Sequence, residues 1–276
     1  MRWRCRPLTV AMLLGLAASA ASAHDTWFEQ RPTMAPAAVD LILGTGTTYP
    51  IFDSGIDVQY IVDRGCRAAA PAKATATAAS AAAPPGPGLT ALGNEPPLLL
   101  LNLRTTAAAR TCWAQLQPFE LKLVPEKIPV YLDEIRASSA LRATWATIAA
   151  KGLPWIESYT KNARIELGTP SAEPAPLSMD LLLEGATRPV QVGDTLNFRV
   201  LHDGKPLAGQ PIELRGDRLP FGIWRTTDAE GRASVPAPSA GHWILRGVDL
   251  RLSAARPDTW VSRFVTLSFD VAPKSP

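Results

Sequence analysis

Hydrophobic and polar residues alternate in short runs along the C-terminal part of the chain, and turn sequences separate these runs. The clearest run, LNFRVLHDG at 196–204, has apolar side chains at every second position and ends in an Asp-Gly turn. A period of two predicts a strand with one buried face, and Asp-Gly is a frequent hairpin turn. Short strands at this spacing predict a C-terminal β-sandwich over 177–273. Further strand runs follow at 210–214, 224–227, 233–235 and 241–248.

The N-terminal half carries the same strand signals with one long interruption. Residues 68–97 are rich in alanine and proline, and such a tract has few large side chains to bury. We therefore expect 68–97 to be a mobile insertion, with the apolar runs on its two sides paired as strands. An N-terminal β domain over 24–130 is predicted from the apolar runs at 39–43, 58–62, 98–103 and 119–124.

A helical pattern appears only between these two β regions. Acidic residues at 133–134, an apolar stripe at helical spacing and a glycine stop predict one helix. Trp155 and Tyr159 are four residues apart, which predicts a further helical turn packed under the sheet. The proline-rich stretch 169–176 follows a short helical connector predicted over 131–168.

Residues 1–23 are typical of a secretory signal peptide. Three arginines precede an apolar run at 8–16, and Ala21-Ser22-Ala23 is a small-residue cleavage pattern. We predict cleavage after Ala23 and export of the mature chain. The apolar run is shorter than the roughly 20 residues needed to cross a bilayer, so stable membrane insertion is not expected.

Removal of the signal peptide changes the charge balance. The chain has 28 Lys and Arg against 25 Asp and Glu, and the signal peptide holds three arginines and no acid, which leaves 25 of each. A near-neutral chain has no electrostatic footprint for nucleic acid.

Cysteine usage agrees with export. Cys66 and Cys112 are the two cysteines of the mature chain, and an even pair in an oxidising compartment is expected to form a disulfide. A two-cysteine metal site is the poorer alternative, because no CxxC spacing presents both thiolates together.

Candidate metal chemistry lies at the new N-terminus. Cleavage makes His24 the first residue, so its α-amino group and imidazole offer two nitrogen donors that can both lose protons to a metal at neutral pH. Nitrogen donors suit nickel, copper or zinc. The other histidines are His202, beside a turn, and His242, at the start of a strand. Either would complete a two-histidine site if the N-terminus crossed to its end of the sandwich.

Five segments together carry a resemblance to a known family. They are HDTWFE at 24–29, WIESYTKNAR at 155–164, DGKPLAG at 203–209, TTDAEGRA at 226–233 and GHWILRG at 241–247. In this order they resemble a periplasmic domain-of-unknown-function family, number 4198, often labelled as nickel-uptake or cobalt-nickel transport accessory proteins. The C-terminal part also resembles transthyretin-like and carboxypeptidase-regulatory β-sandwiches. The expected fold is mainly β, with an N-terminal β domain, a short helical connector and a C-terminal immunoglobulin- or transthyretin-like sandwich.

The resemblance implies a periplasmic accessory protein that binds or delivers nickel, cobalt or copper for uptake, with an inner-membrane metal permease as its partner. The family pattern has a histidine after the 241–247 strand. This chain has Val248-Asp249 there, so Asp249 joins His24, His202 and His242 as a candidate ligand.

Two other function classes stay open. One is a copper oxidase of the histidine-brace type, with His24 and either His202 or His242 on copper. The other is a non-catalytic β-sandwich interaction module, in which His24 has no role. The GxSxG and HExxH motifs of hydrolases are absent from the sequence.

Overall fold

The computed structural model describes residues 24–68 and 87–274. The predicted signal peptide, 1–23, and residues 69–86 of the predicted insertion lie outside the described residues. The described chain is mainly β, which confirms the predicted fold class. It contains two helices, α1 (Ile128–Glu134) and α2 (Ser139–Ala150), and short 3₁₀ turns at Val58–Tyr60 and Pro125–Lys127. In chain order its strands are β1 (Asp25–Arg31), β2 (Ala38–Gly46), β3 (Ser54–Gly55), β4 (Ile61–Ala68), β5 (Thr90–Glu95), β6 (Leu100–Thr106), β7 (Ala109–Leu116), β8 (Phe119–Leu123), β9 (Trp155–Glu166), β10 (Met179–Glu184), β11 (Thr195–His202), β12 (Lys205–Pro206), β13 (Pro211–Gly216), β14 (Ile223–Thr226), β15 (Arg232–Pro236), β16 (Gly241–Leu252) and β17 (Trp260–Val271).

An eight-stranded sheet forms the middle layer. Its strand order is β14-β13-β16-β17-β9-β7-β4, and β8 pairs with β9 beside β7. Every position over 243–250 of β16 and 264–269 of β17 is buried, because both faces of these strands are covered. β17 and β9 run parallel, whereas the other pairs in this sheet are antiparallel. The predicted N-terminal and C-terminal regions therefore contribute strands to one continuous sheet.

Two different layers cover the faces of this sheet. The four-stranded sheet of β10, β11, β12 and β15 packs on one face, where Trp243, Leu245 and Val265 share a core with Phe198. The five-stranded sheet of β1, β2, β3, β5 and β6 packs on the opposite face, together with α1 and α2. Side chains alternate between the faces of a strand, so neighbouring residues of β16 point into different layers.

The helical connector differs from its prediction. Two short helices replace the single helix, because Arg136 has a φ of 49° and Ser138 caps α2 by accepting from the Leu141 amide. The predicted helical turn at Trp155 and Tyr159 is wrong, since both residues belong to β9. A spacing of four also places two residues on one face of a strand, so this spacing alone did not distinguish the two structures.

The predicted insertion also contains a strand. Residues 90–95 form β5 at the edge of the five-stranded sheet, paired with β6. The predicted pairing of the flanking runs is wrong, because β4 pairs with β7 and β6 pairs with β2 and β5. The side chains of β5 are mostly exposed, and backbone hydrogen bonds to β6 hold the strand in place. The amino-acid composition of a segment does not indicate whether such backbone bonds form.

The predicted disulfide is confirmed. Cys66 on β4 and Cys112 on β7 are directly opposed in the strand pair and are bonded through their sulfurs. Within 24–68 and 87–274, no helix is long and apolar enough to span a membrane.

Candidate functional site

The beginning of β1 is fixed by buried polar contacts to the central sheet. The Asp25 carboxylate lies 2.6 Å from the Arg246 Nε atom, and both side chains are nearly inaccessible to solvent. The Thr266 hydroxyl donates to the Thr26 carbonyl at 2.6 Å. Arg246 also donates to the Glu213 carboxylate at 2.8 Å, so its charge is shared between two acids. The strand that follows the predicted mature N-terminus is therefore held by groups on β16 and β17.

Trp27 joins β1 to the loop that follows β2. Its indole is fully buried and stacks on Phe52, with ring centroids 4.5 Å apart and an interplanar angle of 14°. Tyr49 packs edge-on against the same indole at 5.6 Å. A β-carbon at Gly46 would lie 2.5 Å from the Trp27 ring, so glycine leaves the space that the indole occupies. This packing brings the loop over 49–53 close to the start of β1.

His24 lies half-exposed beside Asp53. The distance from its Nε2 atom to Asp53 Oδ2 is 3.6 Å. The Asp53 carboxylate is oriented by Thr47, whose backbone amide and hydroxyl both donate to Oδ2 at 2.9 Å. The imidazole thus faces a carboxylate whose position is set by its own hydrogen bonds.

Lys161 on β9 adds a titratable amine to this region. Burial lowers the pKa of Lys161 to about 8, and the negative charges of Asp25 and Asp53 offset part of that effect. Its Nζ atom lies 5.8 Å from the centre of the Tyr159 ring. Our sequence reasoning did not single out Lys161. Residues 159 and 161 lie on the same face of a strand, so assigning β9 as a strand would have predicted that Lys161 lies beside Tyr159.

His202 and Asp249 are brought together, as a site containing both would require. His202 Nδ1 lies 2.7 Å from Asp249 Oδ2. Arg263 donates to His202 Nε2 at 3.1 Å. Arg251 lies 2.9 Å from the same Asp249 oxygen. Both imidazole nitrogens already have protein partners, and two guanidinium groups disfavour an added cation.

The central sheet separates this pair from His24. Asp249 has the same parity along β16 as Trp243 and Leu245, which face the four-stranded sheet that carries His202. Arg246 has the opposite parity and meets Asp25 on the other face. The structure therefore does not bring His202 to His24.

His242 is mostly exposed near the opposite end of β16. Its Nδ1 atom lies 2.6 Å from Asp270 Oδ1. It precedes Asp249 by seven residues, which corresponds to about 23 Å along a strand. It precedes Arg246 by four residues, or about 13 Å. In the part of the chain that the structure describes, no three His, Cys, Asp or Glu side chains form a group that could hold a metal ion.

Comparison with known proteins identifies one family. No curated protein and no solved structure matches the chain. Residues 147–248 match the family model described as Domain of unknown function (DUF4198), and that description mentions neither nickel nor cobalt. The matched segment includes Lys161, His202 and His242, whereas His24 and Asp249 lie outside it. Residues 147–248 are therefore similar to the DUF4198 family of domains of unknown function.

Proposed function

We propose that the mature chain binds a transition-metal ion, nickel, cobalt or copper, at His24 and delivers it for uptake from the periplasm. The observation that carries the proposal is the anchoring of β1 immediately after this residue. Asp25 and Thr26 are held by Arg246 and Thr266, at 2.6 Å each. A residue that follows a cleavage site is ordinarily mobile, whereas His24 immediately precedes a strand that is already fixed. A fixed chelating residue loses less conformational entropy when it binds its ligand.

The donor set is the α-amine and the imidazole of the same residue. The α-amine and Nδ1 can close one chelate ring on a metal ion, which leaves Nε2 directed away from the metal. In this protein Nε2 faces Asp53 at 3.6 Å. A metal-bound histidine commonly directs its second ring nitrogen to a carboxylate, which sets the tautomer and strengthens the ligand. Asp53 is suited to this role because Thr47 holds its carboxylate in place.

The local charges also favour a dication. Asp25 is paired with Arg246, so Asp53 is the carboxylate with charge available to a metal at His24. The amine of Lys161 has its pKa lowered to about 8 by burial, so deprotonation of this neighbouring cation is accessible near neutral pH.

Delivery requires that the metal can leave the site. The His24 side chain is 34% exposed, and two donors from one residue leave coordination positions open to another protein. An inner-membrane metal permease is the proposed partner, because it would take over the ion through those open positions.

The proposal is tested with protein exported through its own signal peptide. Intact mass would establish that the chain begins at His24. Calorimetric titration with nickel, cobalt and copper salts should then give one site per chain. A variant with one glycine inserted before His24 moves the amine out of the chelate, and H24A removes the imidazole; both should abolish this site.

Two further variants define the ligands. D53N should weaken metal binding about 10- to 100-fold, as expected for loss of a carboxylate behind a ligating histidine. H242A serves as the matched histidine control and should bind as the wild type does. Equal affinity in the glycine-inserted variant and the wild type would refute a site that depends on the free amine.

A further inference from the structure

A cavity lies between the five-stranded sheet and the end of the central sheet. Its volume is about 280 Å³, and β1, the loop after β2, β16 and β17 contribute its walls. Phe28, Tyr49 and Phe269 supply apolar wall surface. Glu29 is five residues from His24 along β1, or about 17 Å, so this cavity is separate from the N-terminal residue.

The polar part of the cavity is acidic. Glu29, Glu166, Asp217 and Asp270 contribute carboxylates, and the described lining includes no lysine or arginine. Glu166 is paired with the buried Arg164 at 2.7 Å, which leaves the other three carboxylates to a ligand. His242 is the basic side chain of the lining, and its Nδ1 atom is already engaged with Asp270 at 2.6 Å. Arg218 reaches Asp217 only at 3.8 Å and is largely exposed to solvent. The cavity therefore carries more negative than positive charge.

Glu29 lies in this cavity and has no ion-pair partner within 24–68 and 87–274. Among the described residues, no Lys, Arg or His nitrogen lies within 4.0 Å of its carboxylate, whose Oε1 atom accepts from the Trp27 indole at 3.1 Å. Burial raises the pKa of Glu29, while the Trp27 hydrogen bond and the charges of His242 and Arg31 act in the other direction. A cation in the cavity would compensate a carboxylate that burial has partly removed from water.

Ser268 provides an independent indication of a ligand. Its side chain lines the cavity and the residue is only 5% exposed, yet its hydroxyl has no hydrogen-bond partner among the described residues. Buried polar groups are nearly always paired. A hydroxyl both donates and accepts, so a ligand with a polar hydrogen would satisfy it.

We propose that this cavity binds a small organic cation, a primary amine with a short apolar body. The ammonium group would meet Glu29, Asp217 and Asp270 and donate to Ser268, while the apolar body contacts the aromatic wall. The aromatic face of Tyr49 also favours a cation. The volume equals that of about nine liquid waters, which limits the ligand to roughly ten non-hydrogen atoms.

The first test compares two probes of nearly equal size and shape. The mature protein is titrated by calorimetry with 2-phenylethylamine and with 2-phenylethanol, which replaces the ammonium by a neutral hydroxyl. The amine should bind at least tenfold more tightly than the alcohol. Equal affinities would overturn the proposal, because they would show that the carboxylates do not contribute. The titration is repeated with EDTA, and loss of amine binding on metal removal would equally contradict it.

Variants locate the binding site. The double variant E29Q/D270N should weaken amine binding at least tenfold, and S268A should weaken it severalfold while leaving the fold intact. D217N, which changes a third carboxylate of the lining, provides the same test if the double variant fails to fold. E126Q, an exposed carboxylate outside the cavity, is the matched control and should bind the amine as the wild type does. Unchanged affinity in both S268A and D217N would exclude this cavity as the site.

Discussion

The carboxylate of Asp25 and the guanidinium of Arg246 form a buried ion pair, with 2.6 Å between Oδ2 and Nε. The pair joins the start of the first strand to the central sheet, and Arg246 simultaneously donates to Glu213 on the adjacent strand. A buried charge without a partner costs more than a surface charge, because the interior does not replace its hydration. The position of His24 therefore depends on an arginine that lies 222 residues later in the sequence.

Replacing Arg246 should destabilise the protein strongly. R246M leaves the buried Asp25 carboxylate without its cation and Glu213 with Arg215 alone, and we expect a loss of about 3–5 kcal/mol in the free energy of unfolding. D25N should cause a smaller loss of stability, because Arg246 would still be paired with the Glu213 carboxylate. Urea denaturation of both variants checks the order. R256M breaks a solvent-exposed pair with Glu120 and should change stability by at most about 1 kcal/mol. A similar loss of stability in R246M and R256M would contradict the role of Arg246 as a buried cation that stabilises the fold.

Tyr131 should stabilise the ionised form of a buried glutamate. Glu157 is fully buried and accepts from the Tyr131 hydroxyl at 2.8 Å, from the Trp155 indole at 2.8 Å and from the Ser262 hydroxyl. Burial raises the pKa of Glu157, and these three hydrogen bonds lower it. We expect Y131F to raise this pKa further and to cost about 1–3 kcal/mol of stability near neutral pH.

The raised pKa of Glu157 also predicts how the stability of the protein changes with pH. A glutamate with a raised pKa binds more protons in the folded state, so its contribution to stability decreases as the pH rises from the unfolded value through the folded one. In Y131F that decrease should extend to higher pH, and the cost of the substitution should shrink in acid. Urea denaturation as a function of pH measures both effects. Y60F, at a partly exposed tyrosine, is the control and should leave the pH dependence unchanged.

Lys161 should titrate near pH 8. Its signal in NMR spectra of the reductively ¹³C-methylated protein, assigned by its loss in K161M, should shift with a pKa of about 8. The negative charge of Asp53 raises the pKa of Lys161, so D53N should move the titration to lower pH. A shift to higher pH in D53N would show that the two groups do not interact as described.

The same lysine predicts a change of stability with pH. Between about pH 8 and the ordinary lysine pKa of 10.5, the unfolded chain binds more protons than the folded chain at this position. Its contribution to stability therefore rises with pH across that window. K161M should reduce the rise, as measured by urea denaturation at several pH values, and K122M, at an exposed lysine, should leave the rise unchanged.

Loss of the disulfide should destabilise the fold without rearranging it. Cys66 and Cys112 are 46 residues apart, and a bond over that separation stabilises by about 4 kcal/mol in the chain-entropy model. We expect the double variant C66A/C112A to lose stability of this order in urea denaturation. Dithiothreitol should lower the stability of the wild type similarly and leave the double variant unaffected, and any effect on the variant would point to another cause.

Local sequence patterns were sufficient to predict the mainly β fold, the C-terminal sandwich and the cysteine pair. Alternation over 196–204 specifies a strand with one buried face, and Asp-Gly specifies a turn, because both depend on neighbouring residues alone. The same local information failed at Trp155 and Tyr159, where a spacing of four suits a strand as well as a helix. It also failed at 90–95, where an exposed edge strand is held by backbone bonds to β6.

Which candidate ligands meet was decided only by the tertiary structure. His202 and His242 have similar sequence surroundings, at a turn and at a strand end, and neither pattern tells which layer the residue faces. The parallel pairing of β17 with β9 and the packing of β1 across them put His24 beside Asp53 and near the charge of Lys161. Asp53 and Lys161 are 108 positions apart, and the energy of their interaction exists only once the three layers have packed. The regular geometry of a single strand predicts where its side chains alternate. The neighbours of His24 depend instead on the arrangement of the strands within the sheets and on the packing of the layers.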